Sequence, residues 1–207
     1  MFTISTIPMQ TVLRPYLDES ATRHKHLCPR QVLGVRIGLR GLLALGLIDE
    51  TYTPFGNQNK RLLTIVEMDG CGADGIAVAT DCQVGRRTMR VLDFGKMAAT
   101  LVDTKTGRAV RVWPRADARQ IAKAYLPEAH SRWHAYLEAY QVLPDEDLLV
   151  VQPVTLTQSL AEILSRPNLR VDCAQCGEEI MNEREVILNG RILCQTCAGN
   201  SYYTNTL

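Results

Sequence analysis

The chain has 207 residues, 46% apolar and 22% charged, with a formal net charge of +1. That length holds one sizeable core and a small satellite, and so small a charge excludes a global field that recruits nucleic acid or anionic membrane. No stretch reaches the roughly 18 apolar residues of a spanning helix, and the opening MFTISTIPMQ lacks a basic region followed by an apolar run, so no secretory signal and no membrane association are expected.

In chain order, residues 9 to about 22 predict an amphipathic helix with Val12, Leu13, Tyr16 and Leu17 on one side. Residues 30 to 47 predict a second, very apolar helix. Its Gly34, Gly38 and Gly41 cost stability unless something packs tightly against them. A short strand is expected at 62–66 and a short helix at 72–79. Three strands are expected at 90–94, 98–102 and 108–113, the last two joined by a loop, 103–107, that ends in glycine. Residues 116–125 and 128–141 read as helices, with Pro127 near a helix start. A further strand at 148–156 contains Pro153, which argues for a sheet edge. Thr157 is the expected cap of a helix at 158–164, and 165–168 reads as a linker. Helices and strands are mixed rather than strictly alternating. The expected fold class is therefore α+β, a mixed or antiparallel sheet with flanking helices at 1–165, plus a small zinc domain at 170–207.

The C-terminal segment carries the sharpest signal. Cys173 and Cys176 form one CxxC pair, and Cys194 and Cys197 form another seventeen residues on. Two such pairs at this spacing predict a structural zinc site, because zinc takes four tetrahedral thiolates. Asn189-Gly190 between 186–188 and 191–193 predicts a tight hairpin that brings the pairs together, as in a treble clef or zinc ribbon. From residue 170 onward there are three Arg and five acidic residues, and a zinc tetrathiolate adds two negative charges. Phosphate binding rests on Lys and Arg, so nucleic acid is not the expected partner; a finger acting through protein contacts fits better.

Seven cysteines are an odd count, which fits a reducing, cytoplasmic protein with metal or thiol chemistry. Three remain after the finger. Cys28 follows His24 and His26 closely. Cys71 precedes the short helix, where the dipole lowers a thiol pKa, and Cys82 lies just past its end. Thiolate and imidazole together suit zinc and related divalent metals. His130 and His134, four apart but without a thiol or carboxylate beside them, read as surface or interface groups. Trp133, Tyr136, Leu137 and Tyr140 make an aromatic face, read as core or dimer interface.

Several of these motifs, in this order, resemble the FmdE family of formylmethanofuran dehydrogenase subunits: His24-Lys-His26-Leu-Cys28-Pro followed by Gly-Val-Arg36-Ile-Gly38, then Cys71-x-x-Asp74, Thr80-x-Cys82-x-x-Gly85, and Asp93-Phe-Gly95-Lys96. The finger resembles one that only some members carry. Arg30 departs from the pattern, standing where glycine is usual after Cys-Pro, and Asp81 stands where glycine usually precedes the third cysteine. The resemblance implies an α+β core, often an intertwined homodimer, in which His26, Cys28, Cys71 and Cys82 line one site. The expected core metal ligands are His24, His26, Cys28, Cys71 and Cys82, with Asp74 and Lys96 close by, and a second transition metal besides zinc. The expected role is a metal carrier, sensor or assembly partner of a molybdenum or tungsten enzyme. A second expectation is an enzyme, either with a metal-activated water beside Asp74 or Asp69, or with Cys71 as nucleophile and His26 as its base.

Overall fold

A computed structural model describes residues 8–164, 168–204 and 206. The expected linker at 165–168 lies outside them except for Asn168, as does most of the N-terminal opening. The chain divides into two compact units, 1–157 and 158–207. Among the described residues, no helix is long and apolar enough to cross a membrane.

The first unit is a mixed sheet with helices. Helix α1 (Met9–His24) is followed by α2 (Pro29–Leu45), strand β1 (Leu62–Val66), α3 (Cys71–Thr80), β2 (Met89–Val91), β3 (Ala99–Asp103) and β4 (Ala109–Pro114). Then come α4 (Ala118–Tyr125), α5 (Arg132–Val142), the single turn α6 (Asp145–Leu148) and β5 (Leu149–Val154). The sheet order is β2-β1-β3-β4-β5, with only β1–β2 parallel. Pro153 sits on β5, an edge strand, where its missing N–H leaves no ladder bond unmade on the open side.

Two helix starts differ from expectation. Helix α5 begins at Arg132 rather than 128, because Ser131 accepts a hydrogen bond from the His134 N–H and caps it. His130 therefore lies outside the helix, and Pro127 falls in the loop before it. In the second unit, the helix expected after Thr157 is the single turn α7 (Leu160–Ile163). Ser159 caps it in a reciprocal pair with Glu162.

Helix α2 is apolar nearly all round because neighbours cover most of its faces. It packs against β3 and β4, and against α1, α3 and α5. Its glycines permit the closest of these contacts. A Cβ on Gly34 would meet the Gly72 carbonyl oxygen at 2.3 Å, and one on Gly75 would meet that of Gln31 at 2.3 Å. Farther along, Gly38 faces Ala79 and Thr80. The pairs advance together, so α2 and α3 run in the same direction and present their N-termini to one place. Gly34→Ala should destabilise the fold by about 2 kcal/mol or more, since backbone must move to make room. Urea unfolding measures this, and an unchanged midpoint would mean that the helices part freely.

The second unit holds two short hairpins, β6 (Arg170–Asp172) with β7 (Glu179–Met181), and β8 (Val186–Leu188) with β9 (Arg191–Leu193). Asn189 and Gly190 both have positive φ, 51° and 73°, as a tight two-residue turn requires.

Candidate metal centres

Each hairpin of the second unit brings up one CxxC pair. The four sulfurs of Cys173, Cys176, Cys194 and Cys197 lie within 4.8 Å of one another, with Cys176 and Cys194 3.9 Å apart. Zinc–sulfur bonds of about 2.3 Å in a tetrahedron place sulfurs about 3.8 Å apart, so this donor set fits zinc. Backbone N–H groups of Cys194 and Cys197 point at the sulfurs of Cys173 and Cys194, at 3.3 and 3.4 Å. Such donors favour thiolate. Backbone N–H bonds from Cys176 and Cys194 lower the Cys173 thiol to about 6. The Cys194 sulfur beside Cys197 pushes that thiol up to about 12. Four thiolates thus do not ionise together unaided, and a cation at their centre removes the conflict.

The core cluster is built at the paired N-termini of α2 and α3. Cys28 is the cap residue of α2 and Cys71 the first residue of α3. The buried Gln31 side chain accepts the Cys28 N–H at 2.7 Å and donates to the carbonyl and hydroxyl of Ser20 at 3.1 and 3.0 Å. This fastens α1 to the α2 start. Neither Gln31 nor Ser20 stands out in the sequence as a site residue, although a Gln three residues after a capping position is a readable signal.

His24 supplies the imidazole. Its Nδ1 lies 3.0 Å from Asp74 Oδ2 and its Nε2 3.3 Å from Cys71 Sγ. A proton on Nδ1, donated to Asp74, leaves the Nε2 lone pair facing the thiol; carboxylates orient metal-binding histidines in this way. Cys28 neighbours the Cys71 thiol, and burial first, then Cys28, pushes that thiol up. The donors run as a chain, Asp74–His24–Cys71–Cys28. Among the described residues, the finger sulfurs are the one set of three or more such donors gathered within 4.8 Å.

The other expected members stand elsewhere. His26 is exposed, its ring 4.8 Å from that of His24. His24 closes α1, and Lys25 is left-handed (φ 66°), so no extended segment aligns the two imidazoles. Cys82 does not join the cluster. It follows the C-cap of α3, and eleven residues at about 1.5 Å each carry it roughly 16 Å from Cys71. There it is fully buried, receiving hydrogen bonds from Asn57 Nδ2 at 3.2 Å and Thr64 Oγ1 at 3.3 Å. Burial raises its thiol pKa, which suits a neutral core cysteine. Lys96 and Asp69 line a neighbouring cavity with Arg30, Asp93 and Arg119.

Comparison with known proteins agrees with this division. The family model FmdE, described as molybdenum formylmethanofuran dehydrogenase operon, matches residues 23–150. The prokaryotic dksA/traR C4-type zinc finger matches residues 167–203. An Archaeoglobus fulgidus protein described as a "Probable S-adenosyl-L-methionine-binding protein" is 30% identical over 94% of this chain. The chain spans about half the length of that relative, 55%. A solved FmdE-like protein of the tungsten formylmethanofuran dehydrogenase kind, from Syntrophus aciditrophicus, has the same fold. Its TM-score is 0.58 at 22% identity, over 92% of this chain and 94% of that one. With its α+β core matched by one family and its four-cysteine cluster by the other, the chain belongs to the FmdE family and carries a C-terminal C4-type zinc finger.

Proposed function

We propose that this chain is a metal-handling accessory protein with a structural zinc in its finger and a second transition metal bound by Cys28, Cys71 and His24, with His26 at the rim. Its role is carriage, sensing or assembly, as a homodimer, for a molybdenum or tungsten enzyme of the kind that names the family. One observation carries this reading: two thiols and a carboxylate-braced imidazole stand in a chain of neighbours where two helix N-termini meet. Burial and Cys28 push the Cys71 thiol up, so the thiolate forms there with the metal, whose charge and the two helix N-termini favour it.

The test is metal content. Wild-type protein purified without chelator should carry two equivalents per chain, and Cys28→Ser with Cys71→Ser should carry one. Cys82→Ser should keep both, because its contacts are Asn57 and Thr64. One equivalent in the wild type would sink the core site.

The line Cys71–His24–Asp74 also supports a thiol-enzyme reading, with His24 rather than His26 as base. The raised Cys71 thiol pKa weighs against it, since burial and Cys28 suppress the nucleophilic thiolate. Rapid alkylation of Cys71 at neutral pH in metal-depleted protein would favour the enzyme.

A further inference from the structure

We infer that the core unit also binds a small ring-bearing anion, a phosphate monoester or a carboxylate, in a cleft next to the Cys28–Cys71 cluster. One cavity of the unit, about 520 Å³, is lined by Leu33, Trp113 and Tyr140 and by Arg30, Lys96 and Arg119. A second, about 310 Å³, shares Arg30 and Arg119 and has Cys28 and the aromatic rings of Trp133, Tyr136 and Tyr140 in its wall. These volumes suit a small organic molecule, and apolar walls with a few convergent polar groups are what such sites have.

The charges identify the ligand class. Neither of these two walls contains a carboxylate among the described residues. Two further arginines of the larger cavity are already neutralised. Arg111 grips Glu67 with two bonds, 2.6 and 2.8 Å, and lies 4.7 Å over the Trp113 ring. Arg115 grips Asp117 with two bonds of 2.9 Å. Arg30, Lys96 and Arg119 form no ion pair among the described residues. Lys96 acts on Glu67 only through space, and that carboxylate is taken by Arg111. A net charge of +1 over the whole chain makes this a local concentration of cations. Where these cations face the two apolar walls no carboxylate stands opposite them, and an anion placed there lowers their mutual repulsion. Arginine forks match phosphate and carboxylate geometry, while Tyr136 and Tyr140, stacked with centroids 5.8 Å apart, offer ring surface for a flat body. The acids Asp69 and Asp93 share a third cavity, about 250 Å³ on the α3 side, with the same Arg30, Lys96 and Arg119, but form no ion pair with them among the described residues, so three cations face two acids there and none in the other two walls.

This inference does not rest on the core metal, and the experiment separates the two. The full-length, zinc-loaded protein is titrated with phenyl phosphate, benzoate, inorganic phosphate and benzyl alcohol. Calorimetry reads the binding, together with fluorescence of the chain's two tryptophans, Trp113 and Trp133, which both line the cleft. Phenyl phosphate or benzoate should bind and perturb the fluorescence, and the better of the two tells which acid group is preferred. Benzyl alcohol and inorganic phosphate should each bind at least about tenfold more weakly. Arg30→Gln with Arg119→Gln, both exposed and so expected to fold, should weaken the anion about tenfold or more, whereas Arg14→Gln should not. Cys71→Ser, at a residue that lines neither cavity, should still bind it, whatever its metal content. The proposal is overturned if neither ring-bearing anion binds up to about 10 mM, if the double arginine variant binds as tightly as wild type, or if the alcohol or bare phosphate binds equally well.

Discussion

Removing zinc from the full-length protein with a strong chelator is expected to unfold residues 168–204 and leave the α+β core folded. The second unit has almost nothing else to hold it. Among the described residues its buried apolar side chains are Cys173, Ile180 and Leu193, with a few partly buried neighbours. Its strands are three residues each, in two separate two-stranded sheets. So small a core does not offset the chain entropy of about forty ordered residues. Structural zinc in finger peptides is worth about 10–16 kcal/mol at neutral pH, which is folding free energy here. Cys176→Ser should have the same effect by opening the tetrahedron. Limited proteolysis and release of one zinc with four reactive thiols measure the outcome. A segment that stays protease-resistant after complete zinc removal would show that the hairpins stand without metal. Addition of zinc should restore protection in the wild type and not in Cys176→Ser.

Replacement of Arg36 by Met should cost about 3–5 kcal/mol of stability. Arg36 has a fully buried guanidinium on α2. It donates to the carbonyls of Tyr140 and Leu143 at 2.9 and 2.6 Å, and to Asp145 through two nitrogens at 3.1 and 2.5 Å. Those carbonyls belong to the end of α5, where a helix has no partners of its own for its last C=O groups. Met fills comparable space but leaves two carbonyls and much of a carboxylate unanswered, with only Arg40, 3.8 Å from Asp145, nearby. Arg36→Lys should recover part of the loss, since an ammonium keeps the charge but not the fork. Urea unfolding followed by far-UV circular dichroism gives the numbers. A loss below about 1 kcal/mol would mean that water answers those groups as well as Arg36 does. Because Tyr140 lines the anion cleft, the Met variant should also loosen that wall.

Most helices and strands were legible because their signals are local. The apolar face of α1 and the runs of β1, β3 and β4 match the observed elements within two residues. The shifted starts of α5 and α7 arise from capping serines, Ser131 and Ser159, that compete with neighbouring candidates and win by hydrogen-bond geometry. The Arg36 network was not legible, because its partners lie more than a hundred residues away. The cleft was not either: Arg30 is visible as an oddity after Cys28-Pro, but Arg119 and Trp113 meet it only in the fold.

The sequence by itself determined the zinc finger and the α+β class. Its CxxC pairs, Asn-Gly turn and short apolar runs each act within a few residues, where backbone geometry leaves few choices. Only the tertiary structure decided the core cluster. Glycine-lined contact sets α2 and α3 in parallel and joins Cys28 to Cys71. The length of α3 carries Cys82 away into a neutral pocket. A left-handed Lys25 leaves His24, not His26, against the thiol. In each case the outcome depends on which way a helix end faces, and helix packing fixes that rather than the order of residues along the chain.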